Sequence, residues 1–98
     1  MIYDKNDTVY FKSSHQTYTY ATNLWNDSDP DTGFPKITIL DPNGVIKVDA
    51  ETMTRRILGG FEYLYTILPI DVSGRWTGYI EVENAGYPDR EVFRFNVK

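Results

Sequence analysis

Apolar and polar side chains alternate at every second residue along most of this chain, and that spacing leaves few folds open to it. The clearest case is Arg75–Glu83, in which Trp76, Ile80 and Val82 fall on one face and mostly polar side chains fall on the other. Successive side chains of a β-strand point to opposite faces of the sheet, so this is the pattern of a strand with one buried face. No segment shows convincing helical spacing. The sequence therefore predicts an all-β fold.

The same alternation predicts strands elsewhere in the chain. Val9 and Phe11 are expected to face inward from the first of them. Gly60–Pro69 becomes apolar on both faces toward its end, which is typical of a central strand. The more polar segment Val45–Ile57 leaves two interpretations open, one irregular edge strand or two short strands. The other predicted strands are Thr8–Ser13, Thr17–Leu24, Lys36–Leu40 and the C-terminal segment Glu91–Lys98.

Turn signals separate the predicted strands. Asp41–Gly44 places proline where φ near about −65° is wanted and Asn-Gly where φ becomes positive. Further reversals are predicted at Gly59–Gly60, Val72–Gly74 and Asn84–Gly86. About seven short strands without helices between them predict a single antiparallel two-sheet β-sandwich, with a closed barrel as the alternative. Trp76, Phe61, Phe93 and Phe95 are expected to fill the space between the sheets.

The composition is that of one globular domain, which we predict to span residues 1–98. Of the 98 residues, 41% are hydrophobic and 24% are charged, as in ordinary folded domains. There is no cysteine, so neither a disulfide nor a cysteine-bound zinc ion stabilises the fold. The net charge of −4, with Arg55-Arg56 as the one adjacent basic pair, disfavours nucleic acid as a partner. No signal peptide or membrane-spanning segment is recognised, so membrane insertion is not expected and the localisation is left open.

Several motifs follow one another in an order that resembles the immunoglobulin-like sandwich modules of bacterial, archaeal and phage proteins. They are YDKNDTV (Tyr3–Val9), an acidic loop ending in proline, ITILDPNG (Ile37–Gly44), GGFEYLYTILPIDVSGRW (Gly59–Trp76) and FRFNV (Phe93–Val97). Macroglobulin-type and filamin-type repeats have a similar cadence. The resemblance implies an immunoglobulin-like fold and a non-catalytic structural or protein-interaction role, in a virion as a phage head, neck or tail accessory, or at a cell surface. Relatives are usually embedded in long chains, so whether this chain is a whole protein or an excised domain is left open.

The acidic loop NDSDPDTGFP is the one candidate metal site. Asp27, Asp29 and Asp31 occupy the first three ligand positions of an EF-hand calcium loop. The glycine arrives one residue late, at Gly33, and Thr38 stands where the bidentate glutamate is required. Two interpretations stay open: a looser calcium site completed by a neighbouring loop, and a solvated acidic turn whose side chains cap the backbone.

Catalysis is not expected. A pair of glycosidase carboxylates needs a deep cleft, and a domain of this size filled by Trp and Phe has no room for one. His15 is the only histidine, and the sequence offers it no cysteine and no identifiable serine partner. No other cofactor is predicted.

The surplus of tyrosine points instead to binding. Tyr10 and Tyr79 fall opposite the inward residues of their strands, while Trp25 and Tyr87 lie in predicted loops. Exposed aromatic side chains provide large, rigid contact areas, although outward tyrosines also pair across strands. We predict a module that binds a protein partner, or assembles with itself, through these aromatics or an exposed strand edge. The alternative is a small carbohydrate-binding module that uses Trp25, Tyr87 and the acidic loop, with or without calcium.

Overall fold

A computed structural model of the chain describes residues 2–19 and 24–98, and in this part of the chain it contains ten strands and no helix. In order they are β1 (Ile2–Tyr3), β2 (Thr8–Ser14), β3 (Gln16–Thr19), β4 (Leu24–Asp27), β5 (Lys36–Leu40), β6 (Ile46–Thr52), β7 (Thr54–Ile57), β8 (Gly60–Thr66), β9 (Gly74–Asn84) and β10 (Tyr87–Val97). The all-β prediction is confirmed.

Two sheets and a ribbon account for these strands. The larger sheet has the order β1-β10-β9-β5-β6, the smaller sheet has the order β2-β8-β7, and β3 pairs with β4 alone. Every pairing is antiparallel except that of β1, which runs parallel to the end of β10. The prediction of about seven strands, all antiparallel, is wrong in both respects. A two-residue strand such as β1 carries no alternation that could be recognised in the sequence.

The core lies between the two sheets, with the fully buried Trp76 of β9 at its centre. The Trp76 ring lies 5.8 Å from Phe95 on the adjacent strand and 5.8 Å from Tyr65 on the smaller sheet. Phe11 of β2 reaches across to Phe93, with 4.8 Å between the ring centres. These contacts join the sheets face to face and confirm Trp76 as a core residue. The buried apolar residues are Val9, Ile37, Ile39, Val48, Met53, Phe61, Ile67, Trp76, Ile80, Phe95 and Val97.

Most of the predicted strands with one apolar face are present. β5 covers Lys36–Leu40 as predicted, and Ile37 and Ile39 expose no surface. β8 is the central strand of the smaller sheet. Phe95 is buried, whereas Phe93 is half-buried and packs against the core.

The ambiguous segment Val45–Ile57 forms two strands that belong to different sheets. β6 is the edge of the larger sheet and β7 is an edge of the smaller one. Met53 lies between them, buried, and its N–H donates to the carbonyl of Pro35 at 2.9 Å. The chain therefore crosses from one sheet to the other at Met53.

The predicted strand Thr17–Leu24 is not a single strand. Its ends belong to β3 and β4, which pair antiparallel with Tyr18 opposite Trp25. The middle of this predicted strand, residues 20–23, lies outside the described residues. Trp25, predicted in a loop, is part of β4.

Hydrogen bonds between loops define the two ends of the sandwich. At the near end, the loop after β1 bonds to the loop after β8 through Asn6 N–H and Ile67 O, 2.7 Å apart. At the distal end, His15 N–H donates to Gly59 O at 2.8 Å, which ties the β2–β3 junction to the β7–β8 turn. The ribbon, the acidic loop and the β9–β10 turn lie at this distal end, as the contacts below show.

Candidate binding surface

The three carboxylates of the acidic loop bind three different parts of the distal end. Asp27, on β4, accepts a hydrogen bond from the side-chain amide of Gln16 across the ribbon at 3.1 Å. Asp29 accepts one from the N–H of Gly59 at 2.8 Å and pairs with Arg55 at 2.9 Å. The Gly59 N–H, and secondarily Arg55, holds the pKa of Asp29 below its ordinary value.

Asp31 caps the turn between β9 and β10. Its two carboxylate oxygens accept the N–H groups of Ala85 and Gly86, each at 2.9 Å. Both turn residues have positive φ, 52° for Ala85 and 82° for Gly86, as the type I′ turn of a two-residue hairpin requires. The carboxylate satisfies two donors that this turn would otherwise leave to water.

The calcium site at Asp27, Asp29 and Asp31 stays a prediction. Among the described residues, no group of three or more His, Cys, Asp or Glu is arranged to hold a metal ion. Asp29 and Asp31 cap backbone N–H groups of other segments. Their contacts fix the loop to the β7–β8 and β9–β10 turns.

The four aromatic candidates lie on three surfaces. Trp25, on the ribbon, is 65% exposed, and Tyr87, at the start of β10, is 79% exposed. Both therefore lie at the distal end. Tyr10 is on the outer face of the smaller sheet, where its hydroxyl donates to Glu62. Tyr79 is half-buried on the outer face of the larger sheet, with Arg90 4.7 Å above its ring.

Three aliphatic residues that the sequence did not single out complete the distal end. Leu24 precedes Trp25 on the ribbon, Ile57 ends β7, and Leu58 lies in the β7–β8 turn. All three are exposed, Ile57 by 67%. Their signal in the sequence was an apolar pair directly before Gly59-Gly60, at a turn where polar residues are usual. We call Leu24, Trp25, Ile57, Leu58 and Tyr87 the distal surface.

The near end also exposes apolar side chains. The most exposed is Ile70, at 85%, in the loop between β8 and β9. This set contains no aromatic residue. Its members are Val45, Ile46, Leu68, Ile70 and Val72.

A small polar cleft opens between β2 and β10, where the sandwich is open at its side. It has a volume of about 160 Å³, and its lining includes Ser13, His15, Asp89 and Glu91. His15 Nε2 lies 2.6 Å from the hydroxyl of Ser13, so the expectation that His15 has no serine partner is wrong. The two residues are two positions apart, a spacing that places side chains on the same face of an extended chain.

Among the described residues, the Ser13 hydroxyl is the hydrogen-bond partner of the His15 ring. His15 packs edge-on against Phe61, with 5.8 Å between the ring centres. Burial lowers the pKa of His15, an effect that the nearby Glu91 and Asp29 partly oppose. The lowered pKa favours the neutral form of His15 at pH 7.

In the part of the chain that the structure describes, no helix is long and apolar enough to cross a membrane. Comparison of the chain with known protein families, with curated proteins and with solved structures finds no match. The immunoglobulin-like resemblance consequently stays a prediction.

Proposed function

We propose that this chain is a non-catalytic structural or protein-interaction module, an immunoglobulin-like β-sandwich that contacts its partner through the distal surface. The observation that carries the proposal is the exposure of Trp25 and Tyr87 at the same end of the molecule, beside Leu24, Ile57 and Leu58. Tryptophan and tyrosine are the residues most enriched at the energetic centres of protein interfaces.

The distal surface is also preorganised. Asp29 ties the loop after β4 to the β7–β8 turn, and Asp31 ties the same loop to the β9–β10 turn. A surface whose loops are already fixed loses less conformational entropy on binding. A place in a virion or at a cell surface is proposed from the family resemblance alone.

The experiment compares the two apolar ends of the molecule. The chain is immobilised and exposed to an extract of its native source, and captured proteins are identified by mass spectrometry. Trp25→Ala and Tyr87→Ala should each abolish the capture of a partner that Ile70→Ala retains. Loss with Ile70→Ala alone would assign the contact to the near end and contradict the proposal. Sedimentation of the purified chain separates self-assembly from a second protein.

A carbohydrate-binding module is the second candidate. Trp25 borders a shallow depression with Ser14 and Gln16, and an aromatic ring beside polar side chains is the usual platform for a sugar. Binding on a glycan array that is lost with Trp25→Ala, without any captured protein, would favour this candidate. Sensitivity of that binding to a chelator would bring calcium into the site.

A further inference from the structure

The outer edge of β10 is open along most of its length. The two-residue turn Ala85–Gly86 joins β9 and β10. In such a hairpin the backbone N–H and C=O groups of the odd-numbered residues of β10 bond to β9. The backbone N–H and C=O groups of the even-numbered residues therefore point to the outer edge. Among the described strands, only β1 lies on that outer side, and it reaches only Asn96 and Val97. Lys98 N–H, which donates to Tyr3 O at 2.9 Å, has the direction expected for an even-numbered residue.

Part of this open edge is protected from pairing and part is not. Pro88 has no N–H, and the N–H of Arg90 donates to the carboxylate of Asp89 at 2.8 Å. Proline and local capping are common ways to blunt an edge strand. Val92 and Arg94 carry no such protection, so their backbone N–H and C=O groups can form hydrogen bonds with a further strand.

The outward face of this edge carries two arginines around an apolar residue. Val92 is 48% exposed, and Arg90 and Arg94 flank it at spacings of two residues. The described ion pairs include neither arginine. A strand added beside β10 would place its own side chains directly opposite these three. Acidic, apolar and acidic residues in alternation would match them.

The inward face of the same edge carries the opposite charge. Asp89 and Glu91 line the cleft together with Ser13 and His15. Arg90 also borders it, although its guanidinium lies over the Tyr79 ring on the outer face. Since the neutral form of His15 is favoured at pH 7, His15 does little to offset these carboxylates. Basic side chains opposite Asp89 and Glu91 would therefore be attracted to the cleft.

We propose that the open edge of β10 binds an extended segment of a partner protein, added antiparallel, which presents acidic residues outward to Arg90 and Arg94 and basic residues inward to Asp89 and Glu91. This inference rests on the proposed function, because it specifies the kind of segment that the protein partner contributes. Main-chain hydrogen bonds supply affinity in such complexes, and alternate side chains supply specificity.

A second copy of this chain fits the edge poorly. Antiparallel self-pairing centred on Arg90 or Glu91 places two identical charges opposite each other. A centre at Val92 pairs Arg90 with Arg94. Like charges directly opposite each other destabilise a strand pair. A centre at Phe93 avoids like charges but brings Arg90 opposite Asn96, whose outer side β1 already occupies. The charges of the edge and the position of β1 therefore favour a different sequence.

The test uses two capped peptides of identical composition and zero net charge. Thr-Glu-Val-Val-Lys-Glu-Lys matches the edge from Phe95 back to Asp89, and Thr-Lys-Val-Val-Glu-Lys-Glu reverses every charge. The matching peptide should bind roughly tenfold or more tightly, because all four charge contacts change sign between the two. NMR titration should show the amides of Val92 and Arg94 exchanging rapidly in the free protein and protected in the complex.

The double variant Arg90→Glu/Arg94→Glu should lose the preference for the matching peptide. Both side chains are exposed, and unchanged circular dichroism would show that the variant folds. Equal affinity for both peptides, or protection of Val92 and Arg94 that rises with protein concentration without peptide, would overturn the proposal. Asp49→Ala, on β6 at the opposite edge of the same sheet, should leave peptide binding unchanged. If neither peptide binds while a partner is still captured through Trp25, the proposal for the β10 edge is contradicted and the proposed function is not. If the matching peptide binds but no partner is captured through Trp25, the proposal for the distal surface is contradicted.

Discussion

Asp71 holds the near end of the sandwich together through one buried carboxylate. It accepts hydrogen bonds from the hydroxyl of Tyr65 at 2.9 Å and from the N–H of Leu68 at 2.8 Å, and Lys47 lies 3.6 Å away. Burial, together with the bond to Asp71, raises the pKa of Tyr65 above its ordinary value. The carboxylate thus serves donors from two strands and a loop.

Asp71→Ala should lower the free energy of unfolding by roughly 2 to 4 kcal/mol, because it removes the buried carboxylate that accepts from the partly buried Tyr65 hydroxyl and the Leu68 N–H. Urea denaturation followed by fluorescence measures the change. Asp49→Ala is the matched control, since Asp49 is exposed on β6, and it should change stability by no more than about 0.5 kcal/mol. Equal effects of the two substitutions would show that the Asp71 contacts do not stabilise the fold.

His15 should make stability depend on pH between neutrality and mild acid. Its pKa is lowered in the folded chain, chiefly by burial, so the unfolded chain binds more protons below the ordinary value of 6.5. Stability is therefore complete above that pH and is lost as the pH falls through it toward the folded pKa. The urea midpoint of the natural chain should decrease from pH 7.5 to 5.5 by more than that of His15→Gln. Parallel decreases would assign the effect to other groups. Asp29, whose pKa is lowered from 3.8, loses its contribution to the stability of the fold only at more acidic pH.

At the scale of strands, the close fit of β9 against β10 depends on a glycine. Gly78 lies opposite Phe93, and a Cβ atom at position 78 would overlap the Phe93 ring and lie 2.6 Å from the carbonyl of Thr38. Gly78→Ala should therefore destabilise the fold by about 1 to 3 kcal/mol, measured as a lowered denaturant midpoint. Combined with Phe93→Ala, it should cost less than the sum of the two single changes, because part of the overlap disappears. Strict additivity would show that the ring contact is not the cause.

The strands that the sequence could predict are those with one buried face. β9 alternates because the core covers one of its sides and the other is more exposed, whereas β5 was recognised from Ile37 and Ile39 although Thr38 between them is buried as well. β7 is exposed at all four residues, so burial imposes no period on its sequence, and the crossing between sheets at Met53 is a tertiary feature. The reversal between β3 and β4 was missed because residues 20–23 contain neither glycine nor proline.

For the candidate surfaces as well, the features that could be predicted were those that the strand period reveals. Outward aromatic residues could be recognised from the strand period, which placed Tyr10 and Tyr79 away from the core. The Ser13–His15 pair was overlooked, although the spacing of two residues was visible in the sequence. The open edge of β10 could not be predicted, because strand order is set by pairing between segments that are distant along the chain.

At the scale of the whole molecule, acidic side chains fasten both ends and aromatic rings fill the middle. Asp29 and Asp31 bind backbone N–H groups at the distal end, and Asp41 and Asp71 do so at the near end. Much of the acidic character that suggested a metal site is therefore used to satisfy loop donors.

The two tryptophans provide a direct comparison between core and surface. Trp76 has no exposed surface and contacts both sheets, and its indole N–H donates to the carbonyl of Val72 at 2.8 Å. Trp76→Ala should cost roughly 3 to 5 kcal/mol of a total stability of about 5 to 15 kcal/mol. Trp25→Ala should cost far less, since Trp25 is 65% exposed. Thermal melts of both variants test the assignment, with emission of the remaining tryptophan blue-shifted in Trp25→Ala. A melting temperature of Trp76→Ala no lower than that of Trp25→Ala would mean that the sheets do not pack around Trp76.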